Sequence, residues 1–228
     1  MKPQVLLGTA RVPGDAAELK LYRHDRDYMF CVDRTELMTS RAHGSEEELA
    51  ELALARLADC SSARVLIGGL GMGYTLARVL SLVGDAAVAN VVELVPEVVA
   101  WNRQWLGELN GHPLKDPRVR VLEGDVAQQL REAGRSDSAD KHDVILLDVD
   151  NGPQAITRPA NNWLYSPDGL LAARAALRRG GVLAVWSSDY QTWFTERLRK
   201  VGFVVSEERV HARRTVGPMR TIWVAQLA

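Results

Sequence analysis

The chain has 228 residues, enough for one α/β domain of ordinary size or for such a domain with a small appendage. Its 28 basic and 29 acidic residues nearly cancel, which excludes a global field that would recruit nucleic acid or an anionic membrane. Cys31, Cys60 and the five histidines lack ligand spacing, so neither a disulfide scaffold nor a metal site is expected. No stretch approaches the length that spans a bilayer, and Met1-Lys2-Pro3-Gln4 leads into no continuous apolar core, so a cytoplasmic location is expected.

Apolar and polar residues roughly alternate over four short runs, 5–10, 18–24, 28–33 and 35–38, broken by Pro13-Gly14-Asp15 and Asp25-Arg26-Asp27. They predict a small antiparallel β unit over residues 1–44, placed before a nucleoside-binding catalytic domain over 45–228. Ser45 with Glu48 fits a capping box, and Leu49, Leu52, Ala53, Arg56 and Leu57 give the stripe of a helix over 46–57. Glu46 and the next two glutamates fall in its first turn, where the helix dipole favours negative charge. His43, just ahead of this helix, is a candidate for binding substrate or a carboxylate.

Residues 64–93 organise the rest. Val65-Leu66-Ile67 reads as a strand buried on both faces, and Gly68-Gly69-Leu70-Gly71-Met72-Gly73 follows it directly. Leu76, Val79, Leu80 and Val83 then mark one face of a helix from Tyr74, and 88–94 returns as strand, ending on Glu93-Leu94. A dinucleotide fingerprint does not fit, because its third glycine would fall on Tyr74 or Leu76. What stands is Gly69-x-Gly71-x-Gly73 with Glu93 about twenty residues on, where a carboxylate can take both hydroxyls of a ribose. The pattern points to a nucleoside site of the S-adenosylmethionine type, in which glycines admit close approach and a helix N-terminus offers free N–H groups.

Downstream, 96–109 predicts a helix and 119–122 a third strand ending in Glu123-Gly124-Asp125. Asp125, with Val126 opening the next helix, lies beside the expected adenine and can accept from its exocyclic amine. The Gly-, Ser- and Asp-rich stretch 132–141 predicts an exposed loop. The fourth strand, 143–147, ends at Asp148, which points into the pocket because ligands of doubly wound sheets lie outside the carboxyl ends of the strands. Asp150 and Asn151 follow it, and the stretch 161–166 is expected to roof the pocket with Trp163 and Tyr165 as its walls. Trp101, Trp105 and Trp186 read as core. Helices at 170–179 and 193–201 alternate with strands at 182–186, 203–209 and 220–226, and the hairpin arginines between the last two, Arg213 and Arg214, read as a solvated tip in preference to an anion grip. Two consecutive strands at the end imply an antiparallel pair. The fold class is α/β, a doubly wound, mostly parallel seven-stranded sheet with an antiparallel edge pair, preceded by the small β unit.

In the order of these parts the chain resembles the spermidine synthase (polyamine aminopropyltransferase) family over nearly its whole length. The resemblance is carried by the small β unit, the 68–73 turn, Glu93, Gly124-Asp125, Asp148 followed by Gly152-Pro153, and Leu164-Tyr165-Ser166 ahead of Gly180-Gly181-Val182-Leu183. It implies the Rossmann-like fold of class I S-adenosylmethionine-dependent methyltransferases, decarboxylated S-adenosylmethionine as ligand and a homodimer. It also implies that Glu93 holds the ribose, that Asp125 and Val126 hold the adenine, and that Asp148 takes a proton from the attacking amine. Gly71 stands where the family has an aspartate that meets the aminopropyl ammonium, Ser45-Glu46-Glu47 stands where it has a Tyr-Gln pair, and only Asp150-Asn151 stands where it has a second aspartate. Losing the aspartate removes a repulsion against a ligand carboxylate, so intact S-adenosylmethionine becomes admissible, with Arg41 or His43 as its partner. The expected activity is alkyl transfer to a small amine or other small acceptor, without metal, nucleic acid or membrane. Methyl transfer, closure of S-adenosylmethionine on itself with release of methylthioadenosine, and a binding module without catalysis are the alternatives.

Overall fold

The computed structural model describes residues 3–14, 17–33, 35–135, 141–149, 152–153 and 162–228. Four strands open the chain, β1 (Val5–Arg11), β2 (Glu18–His24), β3 (Asp27–Val32) and β4 (Thr35–Thr39), each antiparallel to the one before. Alternation puts Leu19, Leu21 and Phe30 on the buried side of this separate four-stranded sheet. Helix α1 (Gly44–Leu54) leads out of it and buries Leu49, Ala50, Ala53 and Leu54. The capping box expected at Ser45 and Glu48 does not form: the helix begins at Gly44 after His43, and the Ser45 hydroxyl, 1% exposed, donates to the neighbouring Glu46 carboxylate at 2.6 Å.

The second sheet is built from β5 (Arg64–Gly68), β6 (Val88–Glu93), β7 (Val119–Glu123), β8 (His142–Leu147), β9 (Leu177–Ser187), β10 (Phe203–Arg213) and β11 (Val216–Leu227). Their order is β10-β11-β9-β8-β5-β6-β7, parallel from β9 to β7, with β11 antiparallel to both of its neighbours. Helices α2 (Tyr74–Leu82), α3 (Pro96–Gln104), α4 (Val126–Arg135), α5 (Pro167–Ala176) and α6 (Thr192–Lys200) cover its two faces. Alternation along the strands sorts the core: Val65, Ile67, Val144 and Leu146 join α1, α2, α3 and the small sheet, whereas Leu66, Ile145, Leu147 and Val185 join α4, α5 and α6. Residues Val144 to Leu147 are fully buried, as a central parallel strand covered on both faces requires. Each such side chain contributes roughly 1.5–3 kcal/mol relative to exposure.

Several element ends differ from the sequence reading. The α3 helix stops at Gln104 because Trp105 leaves helical φ and ψ, and Leu106–Leu109 rewinds as a 3₁₀ turn. Helix α4 continues to Arg135, so the 132–141 loop starts later, and residues 136–140 lie outside the described residues. Residues expected to end α5 instead open β9, where Arg178 reaches Asp143 at 2.9 Å and Gly180, at φ 76°, takes up the irregular register against β8.

After β5 the chain winds out to β6 and β7 on one side, then crosses back to β8 on the other. The carboxyl ends of β5 and β8 therefore flank the crevice where such a sheet binds its ligands.

Candidate active site

A cavity of about 450 Å³ opens over these strand ends, a volume in the range of small-molecule sites. Its floor is the turn after β5. Gly69, Gly71 and Gly73 have φ of 90°, 51° and 83°, backbone that side chains rarely adopt. A Cβ on Gly69 would strike the Asp148 carbonyl oxygen at 2.4 Å, whereas one on Gly71 would meet the end of the Met38 side chain, its sulfur at 3.2 Å. Glycine at 69 thus lets the ends of β5 and β8 close up, and glycine at 71 leaves the cavity open. The turn is braced from beneath: Asn102 donates to the Gly71 carbonyl at 2.8 Å and Asn110 to that of Met72 at 2.9 Å.

Glu93 enters from the end of β6, and Leu94 lines the wall beside it. One carboxylate oxygen accepts from Leu70 N–H at 2.8 Å and the other from Val95 N–H at 2.9 Å, which fixes the plane of the group. Burial pushes its pKa up, and these N–H groups oppose that shift. The N–H groups of Leu94 and Gly71 act on the carboxylate in the same sense. Asp125 caps α4 by accepting from Ala127 N–H at 2.8 Å and lines the same end of the cavity with Gly124 and Val126.

Asp148 stands at the end of β8, its backbone N–H tied to the Gly68 carbonyl at 2.9 Å. Its Oδ2 accepts from the Thr75 hydroxyl at 2.7 Å, a contact supplied by the first turn of α2. Beside it is Glu46, 6% exposed, whose backbone carbonyl lies 3.4 Å from the same Thr75 hydroxyl. Burial raises the pKa of both carboxyls, and the charge of Asp148 raises that of Glu46 further. Ser45 lines the cavity beside them with its hydroxyl held by Glu46.

Other expected site residues are placed elsewhere. His43 stacks on Tyr74 with ring centres 4.1 Å apart and binds Glu47 at 2.8 Å, in a separate hollow on the far side of the Tyr74 ring from the cavity. Arg41 is drawn away to Asp27, with its Nε at 2.7 Å. Tyr165 does not wall an acceptor pocket: it is fully buried, packs edge-on against Phe194 and donates to the Val149 carbonyl at 3.1 Å, supporting the end of β8 from behind. Trp163 lies in the same core, stacked under the Arg131 guanidinium at 3.7 Å. Tyr165 is drawn fully inward and Trp163 is half-buried against the same core, because a large apolar ring gains more there than at a cavity rim. Asp150 and Asn151 lie outside the described residues.

The cavity is also lined by Met38, Tyr74, Thr75 and Arg220, which the sequence did not single out, and by Trp186 and Arg213, expected in the core and at a solvated tip. Trp186, read as core, stands at the carboxyl end of β9, so the rule that singled out Asp148 applies to it too. The arginines arrive because the β10–β11 hairpin folds over the start of α1, where the backbone of Arg214 comes within 2.3 Å of a Cβ built on Gly44. Among the described residues no group of three or more His, Cys, Asp or Glu is placed to hold a metal ion, and no helix is long and apolar enough to cross a membrane.

No family model matches the chain. Among curated proteins it is 34% identical over 189 residues to polyamine aminopropyltransferase 2 of Streptomyces coelicolor, covering 78% of this chain and 32% of that protein. It is 31% identical over 151 residues to polyamine aminopropyltransferase 1 of Hyperthermus butylicus, covering 65% of this chain and 49% of that one. The chain thus spans about a third to about a half of the length of these relatives. Among solved structures, a spermidine synthase in complex with the transition-state analogue AdoDATO superposes with a TM-score of 0.78 at 21% identity, over 98% of this chain and 74% of that one. The spermidine synthase of Thermotoga maritima gives 0.75 at 21% identity, over 98% and 73%. With sequence likeness to a polyamine aminopropyltransferase over 78% of its length and fold likeness to spermidine synthases over nearly all of it, the chain is spermidine synthase-like in sequence and has the Rossmann-like, methyltransferase-type fold.

Proposed function

We propose that the chain is a transferase that binds an adenosyl sulfonium donor, S-adenosylmethionine or its decarboxylated form, and transfers an alkyl group, aminopropyl in the decarboxylated case, to a small amine with Asp148 as the base. The observation that carries this reading is the meeting of Glu93 and Asp148 in one cavity, on either side of a glycine turn that a side chain at 69 would obstruct. Residues 45–228 are the catalytic domain, and residues 1–44 are a small β unit whose Phe30 and Met38 close the cavity from above.

Glu93 and Leu94 hold the ribose, Asp125 and Val126 the adenine, and the turn at Gly69, Gly71 and Gly73 the methionine-derived chain. The donor supplies a carbon bonded to positive sulfur, with a neutral thioether as its leaving group. The amine lone pair forms the new N–C bond as the C–S bond breaks, the bonding pair stays on sulfur, and the amine proton passes to Asp148. Thr75 fixes the Asp148 oxygen that it donates to, and the raised pKa brings the base closer to the strength useful near neutrality. Alignment of nucleophile and leaving group in the closed cavity supplies most of the acceleration. Small molecules in the cytoplasm are its substrates, and a homodimer its assembly.

Gly71 favours a second reading. With no aspartate in the turn, the chain of intact S-adenosylmethionine meets no repulsion there, which admits methyl transfer or ring closure in the same cavity.

The purified protein, incubated with each donor with and without putrescine, separates these by the nucleoside released. Methylthioadenosine that appears only with an amine supports alkyl transfer. Methylthioadenosine from S-adenosylmethionine alone means ring closure, S-adenosylhomocysteine means methyl transfer, and a donor that binds but is not consumed refutes catalysis.

A further inference from the structure

Two guanidinium groups face the cavity from the β10–β11 side, and among the described residues neither has a carboxylate at ion-pairing distance. Arg220 is half-buried on β11, with its guanidinium carbon 5.7 Å from the centre of the Trp186 ring. Arg213 lies at the rim. Their neighbour Arg214 is neutralised by Glu47 and by Glu51, the latter at 3.3 Å. The same wall carries the indole N–H of Trp186, buried without an acceptor among the described residues. Glu46 is near enough to Arg220 to feel its charge but forms no ion pair with it, and a partly desolvated cation without a direct partner is held at a cost that a ligand carboxylate would offset.

The sheet order locates this wall relative to the chemistry. Passing from the glycine turn on β5, one meets Asp148 on β8, Trp186 on β9 and then Arg220 on β11. Arg220 is three strand spacings, about 14 Å in the plane of the sheet, from the donor turn, with Asp148 between them. Glu46 and Asp148 are the acids of this half of the cavity, and burial favours a retained proton on the pair. Half-buried Arg220, with exposed Arg213 at the rim, then faces one negative charge on that pair, a local field that opposes a dication and suits a zwitterion.

We infer that the acceptor is an amino-carboxylate, its amine at Asp148 and its carboxylate held by Arg220 with Arg213 beside it, rather than a diamine. This rests on the transferase reading for the role of Asp148. The two strand spacings between Asp148 and Arg220, about 10 Å less the reach of the arginine side chain, suit a short ω-amino acid.

Calorimetry with γ-aminobutyrate and putrescine, which share a four-carbon chain, tests this on protein saturated with methylthioadenosine and again on nucleoside-free protein. The acid is expected to bind at least about tenfold more tightly than the diamine, and Arg220→Met, which keeps the apolar stem over Trp186, to abolish that preference, the size of effect expected for one charge-assisted contact. Putrescine binding as tightly as the acid, or an unchanged affinity for the acid in Arg220→Met, overturns the inference. So does a variant that weakens intact S-adenosylmethionine but not its decarboxylated form, since the carboxylate served would then be the donor's. Failure of methylthioadenosine to bind refutes the transferase reading separately, because the acid-over-diamine comparison is still read without nucleoside.

Discussion

Replacing Glu46 by Gln isolates the buried acid pair. Burial first, and the charge of Asp148 second, raise the Glu46 carboxyl from 4.5 to about 8, whereas burial raises Asp148 to about 6. As pH climbs Asp148 ionises first, and its charge then helps to keep the proton on Glu46. In the unfolded chain both groups ionise at about pH 4. Between about pH 4 and pH 8 the folded protein therefore binds more protons than the unfolded chain, so stability is highest below this window and falls as pH rises through it. Each tenfold difference in proton affinity is worth about 1.4 kcal/mol, which caps the loss from Glu46 at about 5 kcal/mol. Relaxation of protein and water around the pair reduces the expected loss to on the order of 2–3 kcal/mol. Glutamine keeps the shape and can still accept from Ser45, but it never has to ionise in the folded protein. Urea unfolding at about pH 5 and about pH 9 is the assay: the wild type should lose roughly 2–3 kcal/mol more than Glu46→Gln between them, and the variant should be the more stable at the higher pH. Equal losses would mean that Glu46 is already ionised in the folded protein, and the reasoning would be refuted.

Asp148→Asn should leave methylthioadenosine binding within a few-fold and lower turnover by at least about 100-fold, the contribution of a positioned base; unchanged turnover removes Asp148 from that role. Glu93→Ala should weaken nucleoside binding by about tenfold or more, as expected when hydrogen bonds to a charged group are lost, and equal affinities in calorimetry would place the ribose elsewhere. Thr75→Val removes the hydroxyl that steadies the Asp148 carboxylate, so the acid limb of the rate profile should move to higher pH by up to about one unit. A profile that keeps its position while turnover falls would point to misplacement of the carboxylate instead.

Much of the nucleoside half of the cavity was legible in the linear chain because local rules act there. A glycine turn between a buried strand and a helix leaves few conformations open, and an acidic residue at the next strand end must face the same crevice. Glu93 and Asp148 accordingly reach the cavity as read. The acceptor half was less legible. His43 and Glu46 are three residues apart on the same helix start, yet one lies behind Tyr74 and the other inside the cavity. Tyr165 and Trp163 looked like a roof because their surroundings are irregular, but burial decides where aromatic rings go, and the nearest apolar volume is the core under α5 and α6.

What the sequence determined alone is whatever depends on neighbours within a few residues or on side-chain period: the alternation of strands and helices, the glycine turn, and the acids at strand ends. Only the tertiary structure decided that the last strand slips between β9 and β10, that the hairpin closes over α1, and that two arginines thereby face a pair of buried acids. Those contacts join residues from tens to more than a hundred positions apart, and they follow from covering both faces of the sheet at once, a condition that no local stretch of sequence expresses.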